Sequence, residues 1–350
     1  MVKPVTISID AMGGDNAPEI VIDGLAHFLK TEGADHELTF LIHGEEVVLV
    51  PLIEKHPHLA RVSVVHHTET EISMEMKPSQ ALRRGKGTSM WNMVESVKMG
   101  EADLGVSAGN TGALMAISML QLRLKEGVQR PALAASWPTP KGQSVVLDVG
   151  ANIESNAAQL TEFAVLGDAF YRALYKKSRP SIGLLNVGTE DLKGNAVVKK
   201  THERLSESTL GLNYIGYVEG DEISMGGADV IITDGFTGNI ALKTAEGTAK
   251  LIGTFFSDTL KGNLWSKFAT LLNVFALKTL RKKIDPRRVN GAAFLGLGGL
   301  IVKSHGGTDY IGYANAVKVA VGLAESPFEQ EIDRKLANLH QEDDKIGFTS

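Results

Sequence analysis

The chain of 350 residues contains no cysteine. Disulfide frameworks, Cys-ligated zinc and iron–sulfur clusters are therefore excluded, and any acyl transfer must proceed without a protein thiol as covalent relay. Long apolar runs are missing as well. No segment approaches the ~18 uncharged apolar residues of a membrane span, and the opening MVKPVTISID lacks a signal-peptide arrangement. Charge of one sign is scarce: 36 Lys and Arg stand against 41 Asp and Glu, a net charge of −5 that argues against a nucleic-acid partner. These absences lead to the expectation of a cytoplasmic protein. Standard cofactor fingerprints are also lacking. No Walker A lysine motif or Gly-x-Ser-x-Gly elbow occurs, and Gly296-Leu297-Gly298-Gly299-Leu300-Ile301 lacks the third glycine of a dinucleotide loop. His66-His67 has no third ligand at metal-site spacing, so neither metal nor cofactor is expected.

What is plentiful is glycine, with 37 residues against an average share of ~7%. Glycine serves where the backbone turns at positive φ or approaches a ligand closely, so the excess points to loops built around small ligands. Short β-branched runs alternate with helical patterns, which predicts a three-layer α/β/α sandwich with a mainly parallel sheet. Strands are expected over 5–10, 39–43, 62–66, 104–107, 145–148, 181–186, 214–218 and 230–233. The clearest helices are expected over 17–29, 88–99, 112–121, 157–174, 194–206 and 239–256. No repeat or Pro/Ser linker marks a boundary. The economical division is one large domain over 1–335, a protruding basic segment at 257–290 within it, and a tail over 336–350.

Ligands in parallel α/β sheets bind beyond the carboxyl ends of strands, and there the sequence repeats one theme, Gly with Asn, Asp or Thr. The first such loop is Asp10 to Pro18, with Gly13 and Gly14 forming the turn and Asp15 or Asn16 available as helix cap. Its N–H groups would hold an anion, or the turn is merely a well-capped one. The second, Ser107 to Gly112, offers Ser107, Asn110 and Thr111 as donors or caps. Asn152 closes the third such loop, Leu147 to Asn152. In the fourth loop Lys193 lies near a helix start, where a cation is unfavourable unless an anion is expected, so Lys193 is the first functional candidate. The fifth runs from Asp234 through Gly238 to Asn239, whose amide could polarise a carbonyl or simply cap. His305, in a polar glycine loop, would serve as anion donor or acid/base, or as a turn residue.

From Lys261 to Arg288 the chain carries eight basic residues against the single acid Asp285. Leu264, Phe268, Leu271, Leu272 and Phe275 fall on one helical face, with Trp265 beside them and Lys278, Arg281, Lys282 and Lys283 following. A basic apolar helix suits an anionic membrane surface or an acidic protein partner. A helix packed on a second subunit is the plainer alternative.

The runs 9–15 (IDAMGGD), 77–84 (KPSQALRR), 107–116 (SAGNTGALMA), 147–152 (LDVGAN), 191–195 (DLKGN), 234–243 (DGFTGNIALK) and 303–306 (KSHG) closely resemble the phosphate acyltransferase family of bacterial phospholipid synthesis. The match runs in order from about residue 5 to residue 325. Asn16 stands where the family often has His, and Ile153-Glu154-Ser155-Asn156 replaces a more usual Val-Asp-Cys-Lys. The resemblance implies transfer of an acyl chain from acyl-carrier protein to inorganic phosphate, giving acyl phosphate that a membrane acyltransferase uses to acylate glycerol 3-phosphate. It further implies a cofactor-free homodimer, peripheral at the inner face of the cell membrane, with a fold related to isocitrate and isopropylmalate dehydrogenases. The family's essential lysine and asparagine fall on Lys193 and Asn239. Two competing expectations remain: a coenzyme A-dependent phosphate acetyl- or butyryltransferase, and a non-enzymatic membrane-surface scaffold for carrier protein.

Overall fold

The computed structural model describes residues 3–190, 192–261 and 285–346. Eleven strands form one sheet: β1 (Val5–Asp10), β2 (Leu38–Gly44), β3 (Ser63–His67), β4 (Leu104–Ser107), β5 (Ala132–Thr139), β6 (Gly142–Leu147), β7 (Ser181–Leu185), β8 (Asn213–Val218), β9 (Val230–Ile232), β10 (Ala292–Leu295) and β11 (Leu300–Lys303). The spatial order is β3-β2-β1-β4-β11-β10-β5-β6-β9-β7-β8. Only the pairings β11·β10, β10·β5 and β5·β6 are antiparallel, so the sheet is mostly parallel, as the alternating pattern predicts.

Alternation along each strand sends side chains into two apolar layers. Ile7, Ile9, Leu104, Val106, Val145, Leu147, Val230 and Ile232 face one layer. Val146, Ile231, Phe294 and Ile301 face the other. The first layer is covered by α1 (Glu19–Thr31), α2 (Glu46–Glu54), α3 (Pro57–Ala60), α7 (Ala157–Tyr175), α8 (Ala196–Glu207), α11 (Tyr310–Ala324) and α12 (Phe328–Ile346). The second is covered by α4 (Pro78–Arg84), α5 (Ser89–Lys98), α6 (Thr111–Leu122), α9 (Gly220–Met225) and α10 (Gly235–Lys261).

Three strands escape the periodicity reading. β5 is alanine-rich, while β10 and β11 are four residues each and flank glycines. Those glycines, 296, 298 and 299, belong to the turn of a β10–β11 hairpin rather than to a nucleotide loop. Neither Asp15 nor Asn16 caps α1; its N-cap is Pro18, with no side-chain bond. Residue 336, where a tail is expected to begin, lies inside α12, which buries Leu336 and Leu339. Of the expected basic segment, Leu264, Trp265, Phe268, Leu271, Leu272, Phe275, Lys278, Arg281, Lys282 and Lys283 lie outside the described residues.

The antiparallel hinge at β10–β5–β6 has a geometric consequence. It reverses chain direction, so β1, β4 and β11 run opposite to β6, β9 and β7. The polar strand-end loops therefore separate into two groups at different ends of their strands.

Candidate active site

The first group forms a row across the sheet. In register, Asp10 lies beside Ser107 and Ser107 beside Lys303, all three buried. The Ser107 hydroxyl donates to Asp10 Oδ2 at 2.6 Å and accepts the Gly109 N–H at 3.0 Å. Burial pushes the Asp10 carboxyl pKa upward against the opposing pull of Ser107, Ser89, the Met12 N–H and the Lys303 ammonium. Lys303 Nζ donates to Ala108 O at 3.2 Å and to Ser304 O. Burial lowers its pKa to about 8, against the raising effect of Asp10 and Asp15, and Lys243 of α10 lowers it further.

The turn after β1 is glycine by necessity at position 13, where a Cβ would meet the Asp10 carboxylate and sit 2.8 Å from Gly109 N. Gly14 adopts φ +120°. The Asp15 N–H bonds Gly306 O at 3.0 Å, which ties this turn to the loop after β11. In that loop His305 donates its N–H to Asn290 Oδ1 at 2.9 Å and accepts the Gly307 N–H on Nδ1 at 3.1 Å. Partial burial lowers the imidazole pKa; Glu246 opposes this, while Lys243, Lys303 and Lys250 lower it further. The loop after β11 thus lies under the field of α10.

The second group centres on Asp148. Its Oδ1 accepts N–H groups from Leu133, Gly150 and Ala151 at 3.1, 3.0 and 2.9 Å. Oδ2 accepts Asn152 N at 2.7 Å and Asn152 Nδ2 at 2.9 Å. A buried carboxylate with this many donors fixes the loop over which α10 begins. The fit is close: a Cβ on Gly238 would collide with the Asp148 carbonyl. At the mouth lies a cavity of about 320 Å³. Gly150, Asn152, Gly235, Asn239 and Lys243 supply its polar part, and Ile153, Phe236 and Ile240 the apolar part.

The expected site residues divide on this geometry. Asn239 lines the cavity and makes no hydrogen bond among the described residues, so its carboxamide is open to a ligand. Lys193 is exposed on the loop after β7, next in the sheet to β9, from which α10 departs; its Nζ has no ion pair among the described residues. It is not part of the cavity lining. Asn152 lines the cavity but commits its NH₂ to Asp148 and to Pro131 O at 2.8 Å.

Others serve local structure. Asn110 caps α6 through Ala113 N at 3.0 Å and donates to Met74 O and Met76 O at 2.6 and 3.0 Å. Asp234 accepts the Thr237 N–H and hydroxyl at 2.8 and 3.0 Å at the start of α10. Thr111 is exposed at the first turn of α6.

Two lysines are missed by the sequence reading. Lys243 follows Asn239 by one helical turn, a spacing that could have found it. Lys303 ends a strand that periodicity does not recognise. Among the described residues no group of three His, Asp or Glu is placed to hold a metal. His66 packs on His43 with ring centroids 5.0 Å apart, and His67 Nδ1 accepts the Glu46 N–H at 3.2 Å.

A family model described as "Fatty acid synthesis protein" matches residues 5–331. A phosphate acyltransferase of Maricaulis maris (strain MCS10) is 52% identical over 332 residues, covering 95% of this chain and 94% of its own. Among solved structures, a phosphotransacetylase from Streptococcus pyogenes superposes with a TM-score of 0.61 at 17% identity, over 92% of this chain and 94% of that one. A putative 4-hydroxythreonine-4-phosphate dehydrogenase from Salmonella typhimurium gives 0.53 at 14% identity, over 92% and 99% of the two chains. Likeness at such low identity establishes a common fold alone. Sequence identity near one half over nearly the full length establishes more: the chain belongs to the phosphate acyltransferase family.

Proposed function

We propose that the protein transfers the acyl chain of acyl-carrier protein to inorganic phosphate, releasing the carrier thiol and acyl phosphate for phosphatidic acid and membrane phospholipid synthesis. Beyond family membership, one observation supports this most: the Asn239 carboxamide, which makes no hydrogen bond among the described residues, shares a glycine-walled cavity with Lys243, whose ammonium is paired with Glu246 at 2.9 Å. Phosphate is a nucleophile at neutral pH. Its oxygen attacks the thioester carbonyl carbon, a C–O bond forms, the C–S bond breaks, and the carrier's sulfur leaves as thiolate. Such a step needs no enzyme nucleophile, in keeping with a chain that has no cysteine. It needs donors for the oxyanion and cations for the converging anions.

Asn239 is assigned to the thioester carbonyl and Lys193 to charge compensation. Gly13, Gly14, Ser107, Asn110, Thr111, Asn152, Gly238, Asp10, Asp234 and His305 are assigned to the substrate region. Ser107, Asn110 and Asp234 shape loops there, their polar atoms being engaged in protein hydrogen bonds, whereas Asp10 accepts from Ser107 through Oδ2 while its buried Oδ1 makes no hydrogen bond among the described residues. The basic segment 261–288 is assigned to the acidic carrier protein and the anionic inner face of the cell membrane, near the downstream acyltransferase. No helix among the described residues is long and apolar enough to cross a membrane. A single large domain, a homodimer and a kinship with the isocitrate and isopropylmalate dehydrogenase fold complete the reading.

The fold shared with a phosphotransacetylase makes coenzyme A the competing donor. Phosphate-dependent thiol release from acyl-carrier protein and from acyl-coenzyme A separates the two. The proposal expects release from the carrier with little from coenzyme A; preference for coenzyme A would overturn it.

A further inference from the structure

We infer that Ile153, Phe236 and Ile240 form a wall that receives the first carbons of the acyl chain and favours long chains over short ones. The inference rests on the acyl-transfer reading above. Large apolar side chains left in water need a reason when they cluster. Here Ile153 is 78% exposed, Phe236 60% and Ile240 52%, and all three rim one cavity.

The arrangement on α10 separates two chemistries. Residues one turn apart share a face, so Phe236 and Ile240 form one short row and Asn239 and Lys243 the row beside it. A thioester carbonyl held at Asn239 would leave its alkyl carbons against the adjacent apolar row. The alternative occupants of exposed apolar side chains, a lipid surface or a second copy of the chain, need an open face. The three side chains instead rim a space of about 320 Å³ shared with Asn239 and Lys243, which is of small-ligand size. Covering part of an aromatic or branched side chain with an alkyl chain corresponds to about tenfold in affinity per residue.

The test uses the full-length protein with Phe236→Ala and Ile240→Ala, both at exposed helix positions where folding is not at stake. The first readout is the ratio of kcat/KM for hexadecanoyl-carrier protein over acetyl-carrier protein, expected to fall about tenfold in each variant. The second is independent of turnover: Kd for hexadecanoyl-carrier protein relative to unacylated carrier, expected to weaken by a similar factor. An unchanged ratio, or an equal loss for both chain lengths, overturns the assignment. So does altered self-association with both ratios unchanged, which gives the face to a second copy. Absence of acyl phosphate from the wild-type protein would defeat the acyl-transfer reading, while the binding ratio would still report on the wall.

Discussion

Asparagine does two different jobs along this chain, and its hydrogen bonds distinguish them. Asn110, Asn156 and Asn195 each accept an N–H from the first turn of the helix that follows, whereas the Asn239 side chain has no hydrogen-bond partner among the described residues. In sequence all four stand before or within apolar helical runs. The residue type that caps a helix is the type that binds a carbonyl or phosphate, and only three-dimensional geometry separates the two uses. For the same reason Asn110 reads as a ligand donor or cap and Asp234 as a substrate-region residue in the sequence, and both cap helices in the structure. Lysines were harder to read, because a lysine looks like surface until burial is known. Lys303 is 7% exposed, whereas Lys243 carries a sequence signal in its one-turn spacing from Asn239, and the structure adds that Lys243 and Asn239 both line the cavity.

Buried titratable groups carry a pH dependence of stability at this scale. Burial raises the Glu162 pKa to about 7, against the Gln129 N–H that lowers it and with Asp343 adding to the rise. The folded state therefore holds a proton between the ordinary carboxyl pKa and about 7 that the unfolded chain has released, so stability falls as pH rises through this window. The loss is of order 3 kcal/mol at most. Urea denaturation at pH 5 and pH 8 should show it in the wild type and a much smaller change in Glu162→Gln. Parallel pH profiles for the two proteins would refute the assignment.

At the scale of elements, α10 and α12 illustrate what packing adds to pattern. The sequence predicts a helix over 239–256, and the structure extends it to Gly235–Lys261 because Gly235 and Gly238 permit the first turn to close on the Asp148 loop. β5 and β10 carry little β-branched signal, their strand character coming from central position in the sheet, while β11 is β-branched but only four residues long. An ALAA run has little β-propensity of its own and becomes strand when paired on both sides.

α12 is held by ions as well as apolar contacts. Arg204 of α8, 3% exposed, donates to Asp343 Oδ1 at 2.9 and 2.7 Å and to Glu342 Oε2 at 2.8 Å. Glu342 also accepts the Thr209 hydroxyl at 2.8 Å, and its pKa is lowered to about 2 by these donors against the cost of burial. Removing one partner of a buried pair strands the other, so Arg204→Met should cost about 3 kcal/mol. Equilibrium denaturation measures this directly. A loss below about 1 kcal/mol would mean the network behaves as a surface one.

For the whole molecule, the reversal of direction at β10–β5–β6 governs how the site is assembled. Two sets of strand-end loops that sequence alone treats alike face different ways, which no local pattern could reveal. Twist moderates the opposition: five steps from β4 to β9 at roughly 20–25° each rotate one set by somewhat over a right angle relative to the other. α10 connects them. Its first turns line the cavity beside Asn239, and its Lys243, Glu246 and Lys250 influence His305 and, for Lys243, the buried Lys303.

The central claim is that phosphate attacks a thioester polarised by Asn239 with Lys193 offsetting the gathered charge. Removing one such group typically costs on the order of 100-fold or more in rate. The most direct test is the initial rate of acyl phosphate formation, followed by mass spectrometry, from acyl-carrier protein and inorganic phosphate. It is made side by side for the wild type, Asn239→Ala and Lys193→Ala. The account predicts phosphate-dependent product from the wild type and a rate at least about 100-fold lower in each variant. Product from either variant at near-normal rate, or none from the wild type, would contradict it.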